Sequence, residues 1–163
     1  MSNISLGKRK AFLEFNLAPL SSRRDIAMLG LIHRCVQGKA HASLREIFPR
    51  CSRPGHLHNT KLQKHRHPYQ LDEFRAGTHP ALLCRSVIGL TRVWNRLPEY
   101  IVTAGNVTIM QKGLTSILRA ASRRGEVNWP QLFSPRGAIL KETPFFEQLL
   151  FAERPLLNGC IRS

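Results

Sequence analysis

Residues 106–125 read NVTIMQKGLTSILRAASRRG, and they carry the clearest structural signal in the chain. Asn106 can accept hydrogen bonds from the free amides of a first helical turn. Val107, Met110, Leu114, Ile117 with Leu118, and Ala121 then recur every three to four residues. That is the spacing of one face of an α-helix. Arg119, Arg123 and Arg124 decorate the last turns, where the helix dipole favours positive charge. Gly125 sits just past the end, so the pattern predicts a helix over 106–124.

Similar patterns extend upstream. Ser21 or Ser22 can cap a helix over 22–37, with Asp25 at a capping-box spacing from Ser22. Its apolar stripe is Ile26, Leu29, Ile32, Cys35 and Val36, and Gly38 supplies a left-handed stop. A shorter helix is expected over 40–48, ending before Pro49, and another from Arg85 to Leu97, ending before Pro98. Leu13 to Leu20 is an apolar lead-in broken by Pro19, extended or helical. In the tail, Thr143 and Pro144 can open an amphipathic helix near 143–153. Residues 49–80 are punctuated by Pro49, Pro54, Gly55, Pro68, Gly77 and Pro80 and read as a long irregular basic loop. No alternating strand pattern is visible. The expected fold is mainly α, with three to five short helices and no substantial sheet.

The 163 residues carry 25 Lys and Arg against 10 Asp and Glu, a formal charge of +15. Residues 1–125 hold the whole excess, and residues 126–163 are neutral overall. This suggests a lead-in over 1–20, a basic helical region over 21–125 and a distinct tail over 126–163. Such a charge repels itself and attracts polyanions, which makes nucleic acid the default partner. No segment reaches the roughly 18 apolar residues of a membrane helix, so no membrane partner is expected. The cluster Lys8-Arg9-Lys10 has no apolar run after it, which argues against a secretory signal. Cys35, Cys51, Cys84 and Cys160 are too widely and irregularly spaced for a disulfide framework. The expectation is an intracellular protein, nuclear or cytoplasmic, with mostly inert thiols.

Catalytic patterns are sparse. Only Asp72 and Glu73 adjoin among the acids, and no spacing suggests a two-metal site. There is no phosphate-binding glycine loop and no G-x-S-x-G. Cys84 adjoins Arg85, which could lower its pKa, but no histidine is placed by sequence to serve it. Cys51, His56, His58, His65 and His67 fall within 17 residues, yet no C-x-x-C occurs and the spacing is poor for zinc. The competing reading is that these are solvated loop histidines among phosphate-seeking cations. No cofactor is expected, and no enzyme activity of the chain by itself.

Basic groups interleaved with aromatic ones are more informative. Arg92, Trp94 and Arg96 cluster, as do Arg66, His67 and Tyr69, and then Phe74 and Arg75. Nucleic-acid surfaces combine cationic phosphate contacts with rings on which bases stack. The expected contact set is Arg23, Arg24, Arg34, Arg66, Arg85, Arg92, Arg96, Arg123 and Arg124. For Trp94 the favoured alternative is a core anchor. In Trp94-Asn95-Arg96-Leu97-Pro98, Trp94 and Leu97 would bury while Asn95 and Arg96 face out, and Pro98 would stop the helix. Asn95 could instead bond the chain near Glu99 or Tyr100, which would make the motif structural.

Residues 17–26, LAPLSSRRDI, continue to Leu31-Ile32-His33-Arg34. They are followed some 50 residues on by Arg85-Ser86 and then by Trp94 to Pro98. Over roughly residues 11–125 this order resembles the region downstream of the polymerase domain in reverse transcriptases of non-long-terminal-repeat (LINE, jockey-like) retrotransposons. The resemblance implies a thumb-side or post-thumb extension that binds template or target, in a parent that copies RNA into DNA. The family's Tyr-x-Asp-Asp is absent and no Asp-Asp occurs, so no catalytic residue carries over. The expectation is a truncated, non-catalytic fragment that binds RNA or DNA in a salt-dependent way, its other partner being the polymerase domain it lacks. A non-functional remnant and a small zinc or protein-interaction module are the alternatives.

Overall fold

The computed structural model describes residues 3–51, 67–73 and 86–135. The fold is mainly helical, and among these residues no strand forms. Six α-helices appear: α1 (Asn3–Phe15), α2 (Leu20–Val36), α3 (Ala42–Glu46), α4 (Thr91–Trp94), α5 (Glu99–Val102) and α6 (Val107–Arg123). Two 3-10 turns, Val87–Leu90 and Trp129–Gln131, complete them. None of the described helices is long and apolar enough to cross a membrane.

The helix expected from residues 106–124 is α6, and Asn106 caps it by accepting from the Ile109 amide at 2.8 Å. Its stripe of Met110, Leu114, Ile117, Leu118 and Ala121 is buried. Gly125 ends it with φ +83°, and Gly38 follows α2 with φ +72°. Both glycines occupy the left-handed region that side chains disfavour.

α2 packs antiparallel on α6. Ser22 Oγ donates to the Pro130 carbonyl at 2.7 Å, near the end of α6. Gly30 lies against Val107 and Gln111, so close that a Cβ there would fall 2.9 Å from Val107 Cγ2. His33 Nε2 reaches the Ala104 carbonyl at 2.9 Å, before α6 begins. The α2 stripe of Ile26, Leu29, Ile32, Cys35 and Val36 is buried as expected.

Several local expectations are corrected. Neither Ser21 nor Ser22 caps α2, which starts at Leu20 behind Pro19; the Ser22 hydroxyl bonds across the fold instead. Asp25 is buried in the second turn, 3.3 Å from Arg24 Nη2, rather than closing a capping box. Of the two readings open for the lead-in, the helical one holds over Asn3–Phe15, with Phe12 wholly buried, and the chain leaves the helix from Asn16 to Pro19. The 40–48 helix contracts to α3, capped by His41. The single helix expected from Arg85 to Leu97 breaks into a 3-10 turn and one turn of α-helix. Val87, Ile88, Thr91 and Val93 are β-branched around Gly89, which weakens helix propensity. Thr91 Oγ1 also donates back to the Ile88 carbonyl at 2.8 Å.

The first residues past α6 pack on the helical core. Trp129, Leu132 and Phe133 are buried with the rest of the core, and Trp129 stacks on Phe12 at 5.2 Å. Residues 126–135 therefore belong to the helical unit despite their change in charge. The helix expected near 143–153 lies outside the described residues.

Candidate nucleic-acid interface

α1 supplies Lys8, Arg9 and Lys10, and α6 ends in Arg119 and Arg123 with Arg124 next. More than 100 residues separate these clusters in sequence, but packing joins them. Arg9 lays its guanidinium over Gly125, where an added Cβ would lie 3.8 Å from both terminal nitrogens. Arg119 stacks on the Phe12 ring at 5.5 Å and donates to Asn16 Oδ1 at 2.7 Å. The Ser22–Pro130 bond brings the start of α2, with Arg23 and Arg24, to this end of the bundle. Lys8, Lys10, Arg23, Arg24, Arg123 and Arg124 are exposed. Of the acids on these elements, Asp25 is buried beside Arg24, leaving Glu14 and Glu126 at the surface. The result is one strongly cationic end.

The expected contact residues thus divide. Arg23, Arg123 and Arg124 come together, with Arg24 beside them, its charge offset by Asp25 at 3.3 Å. Arg34 is exposed at the opposite end of α2, about 16 Å along the axis from Arg23. Arg92 lies 3.7 Å from Glu73, which offsets its charge, and half-buried Arg96 follows α4. Arg66 and Arg85 lie outside the described residues. Sequence reasoning left Lys8, Arg9 and Lys10 out of the interface. A run of three cations was the available signal, but only the tertiary contact ties it to α6.

The Trp94–Pro98 motif turns inward. Trp94 is fully buried, and its indole Nε1 donates to the Tyr69 carbonyl at 2.8 Å. Asn95 does not face out, nor does it bond near Glu99 or Tyr100. Its Oδ1 accepts from the Leu71 amide at 2.9 Å, and its Nδ2 donates to the Leu71 carbonyl at 2.8 Å. Asn95 thereby acts as one rung of a β-ladder, pairing Leu71 on one side. On the other side Arg50 bridges Leu71 antiparallel, through Cys51 N to Gln70 O and Asp72 N to Pro49 O, both 3.0 Å. Gln70 Nε2 adds a bond to the Asn95 carbonyl at 2.9 Å. The motif is a clamp that holds residues 67–73 on the helical core.

His67 is corrected as well. It is buried, not solvated: Nε2 meets the Trp94 carbonyl at 2.9 Å and Nδ1 meets the Tyr69 amide at 3.2 Å. Nε2 must donate and Nδ1 must accept, so only the neutral ring fits. With both nitrogens engaged, His67 is not available as a zinc ligand. Among the described residues, no group of three or more His, Cys, Asp or Glu could hold a metal ion. Cys51 is half-buried, and His56, His58 and His65 lie outside the described residues. Burial pushes the Cys35 thiol up, away from a reactive thiolate; Cys84 also lies outside them.

Burial lowers the pKa of both His33 and His67, against the opposing pull of the carbonyls they bond. A histidine held neutral contributes stability above its unfolded pKa of 6.5 and loses it as pH falls toward the depressed folded value. Thermal stability should therefore be level above about pH 7 and fall on acidification from 6.5 toward 5, before carboxylates titrate. Melting scans across that range check it, and an unchanged midpoint at pH 5 would contradict it.

In comparisons with family models, with curated proteins and with solved structures, nothing matches this chain.

Proposed function

We propose that the chain is a non-catalytic nucleic-acid-binding unit that grips RNA or DNA through phosphates. The cationic end of the bundle carries this reading: α1, α2 and α6 each bring Lys or Arg there from distant parts of the sequence. Concentrating like charge costs the fold, and a polyanion relieves that cost. The order of sequence elements from LAPLSSRRDI to Trp94–Pro98 supports a more specific reading. By that resemblance the unit corresponds to the extension downstream of the polymerase domain in a non-long-terminal-repeat reverse transcriptase, which would be its second partner.

The test is a salt titration. Released counterions make log affinity fall linearly with log salt, by about 0.7 to 0.9 per phosphate neutralised. With about four phosphates engaged, affinity should drop roughly 50- to 150-fold between about 50 and 200 mM salt. Lys8→Ala, Lys10→Ala, Arg23→Ala and Arg123→Ala together should flatten most of that slope; all four residues are exposed. A salt-independent wild type, or a quadruple variant with the wild-type slope, would refute the reading.

A further inference from the structure

A groove of about 430 Å³ runs along the outer face of α6, lined by Thr108, Lys112, Thr115, Ser116 and Arg119, and closed on one side by Asn16. From Thr108 to Arg119 it extends about 16 Å along the helix axis. Lys112 and Arg119 supply charge, and the hydroxyls of Thr108 and Ser116 supply donors suited to phosphate oxygens, while the Thr115 hydroxyl donates back to the Gln111 carbonyl at 2.8 Å. No acid lines the groove, and α6 carries none. Glu14, on α1, is the acid nearest in sequence to its lining.

The groove ends at an unusual junction. Asn16 has φ +56°, the left-handed region that asparagine tolerates better than other side chains. Its Oδ1 takes the bond from Arg119, which fixes that guanidinium at the end of the groove. Asn16 is flanked by Phe15, 68% exposed, and Leu17, 56% exposed. Phe12 and Asn16 both touch Arg119. Phe15 is the last residue of α1 and the chain neighbour of Asn16, which closes the groove. An exposed aromatic ring beside a cationic, acid-free track is the arrangement that single strands use: phosphates follow the charge and an unpaired base lies on the ring.

We infer that the α6 groove and Phe15 form a binding track for single-stranded nucleic acid, with phosphates along Lys112 to Arg119 and a base stacked on Phe15. This rests on the nucleic-acid reading above and adds the strand form and the path. A duplex keeps its bases paired and leaves Phe15 unused, so single strands bind tighter than duplex of equal length.

The experiment measures binding of a labelled oligouridine and of a labelled RNA duplex by fluorescence anisotropy, at about 50 and 200 mM salt. Phe15→Ala should weaken oligouridine binding about tenfold and leave duplex binding unchanged, while Phe15→Trp should retain it. Lys112→Glu should weaken oligouridine binding more than Arg45→Glu, which changes the net charge equally on α3, outside the groove's lining. Circular dichroism confirms that each exposed-site variant folds. Salt-dependent binding indifferent to Phe15 and Lys112, or duplex preferred over the single strand, overturns the track but leaves the nucleic-acid reading standing. Absence of any salt-dependent binding overturns both.

Discussion

Trp94→Ala should cost about 3 to 5 kcal/mol of folding stability, the range for emptying a large aromatic from a core. The indole has no exposed surface. It stands between two buried imidazoles, His33 with ring centroids 6.3 Å away and His67 at 5.8 Å, both edge to face. These rings come from α2 and from residues 67–73, so the side chain ties the two together from within the core. Truncation also leaves the Tyr69 carbonyl without its 2.8 Å donor. Single domains hold about 5 to 15 kcal/mol in total, so the variant should lose about a fifth of its stability or more. Urea unfolding followed by circular dichroism reads the midpoint. Trp94→Phe should recover part of the loss, because it fills most of the cavity and still lacks the indole donor. A loss below about 1 kcal/mol for Trp94→Ala would show that the ring does not anchor the core.

Asn95→Leu should cost about 2 to 4 kcal/mol although its shape is close to the native one, because two backbone groups of Leu71 lose their partners at once. Leu71 is itself almost wholly buried, so water does not readily replace the amide. Asn95→Asp separates the two bonds: it keeps an acceptor for the Leu71 amide and sets a carboxylate oxygen against the Leu71 carbonyl. It should be at least as damaging as Asn95→Leu at neutral pH. Denaturant midpoints measure both, and amide exchange at Leu71 should accelerate selectively. Under conditions where the variants remain folded, their nucleic-acid affinity should match the wild type. A folded Asn95 variant with impaired binding and unchanged stability would reverse the assignment and make the motif part of the interface.

These two residues show where sequence reading reached its limit. That Trp94 belongs in the core follows from its place in an apolar pattern. That Asn95 pairs with Leu71, 24 residues upstream, does not follow from any local signal. Asn is equally at home in turns, caps and surfaces, and its neighbours gave it an outward position on an uninterrupted helix. The helix was interrupted because β-branched residues crowd Gly89, and the resulting turns swing Asn95 toward the 67–73 segment. His67 was misread for the same reason. Beside Lys64, Arg66 and His65 it has the company of a solvated residue, and only the partners brought by folding reveal it as buried.

The sequence by itself determined the helical class and the two long helices, α2 and α6. Their stripes repeat at 3.6 residues and end at glycines that accept positive φ, and both signals are local in the chain. It determined the excess of positive charge, which no conformation can alter. Only the tertiary structure decided which cations act together. α2 and α6 lie antiparallel, and α1 folds back on the end of α6, so Lys8, Arg9 and Lys10 join Arg119, Arg123 and Arg124 while Arg34 and Arg92 are left elsewhere. It also decided that the Trp94–Pro98 motif serves the core, since a hydrogen bond's partner is chosen by proximity in space. Local periodicity specifies a helix because its bonds span four residues; a surface or a clamp is assembled from residues whose separation in the chain carries no such regularity.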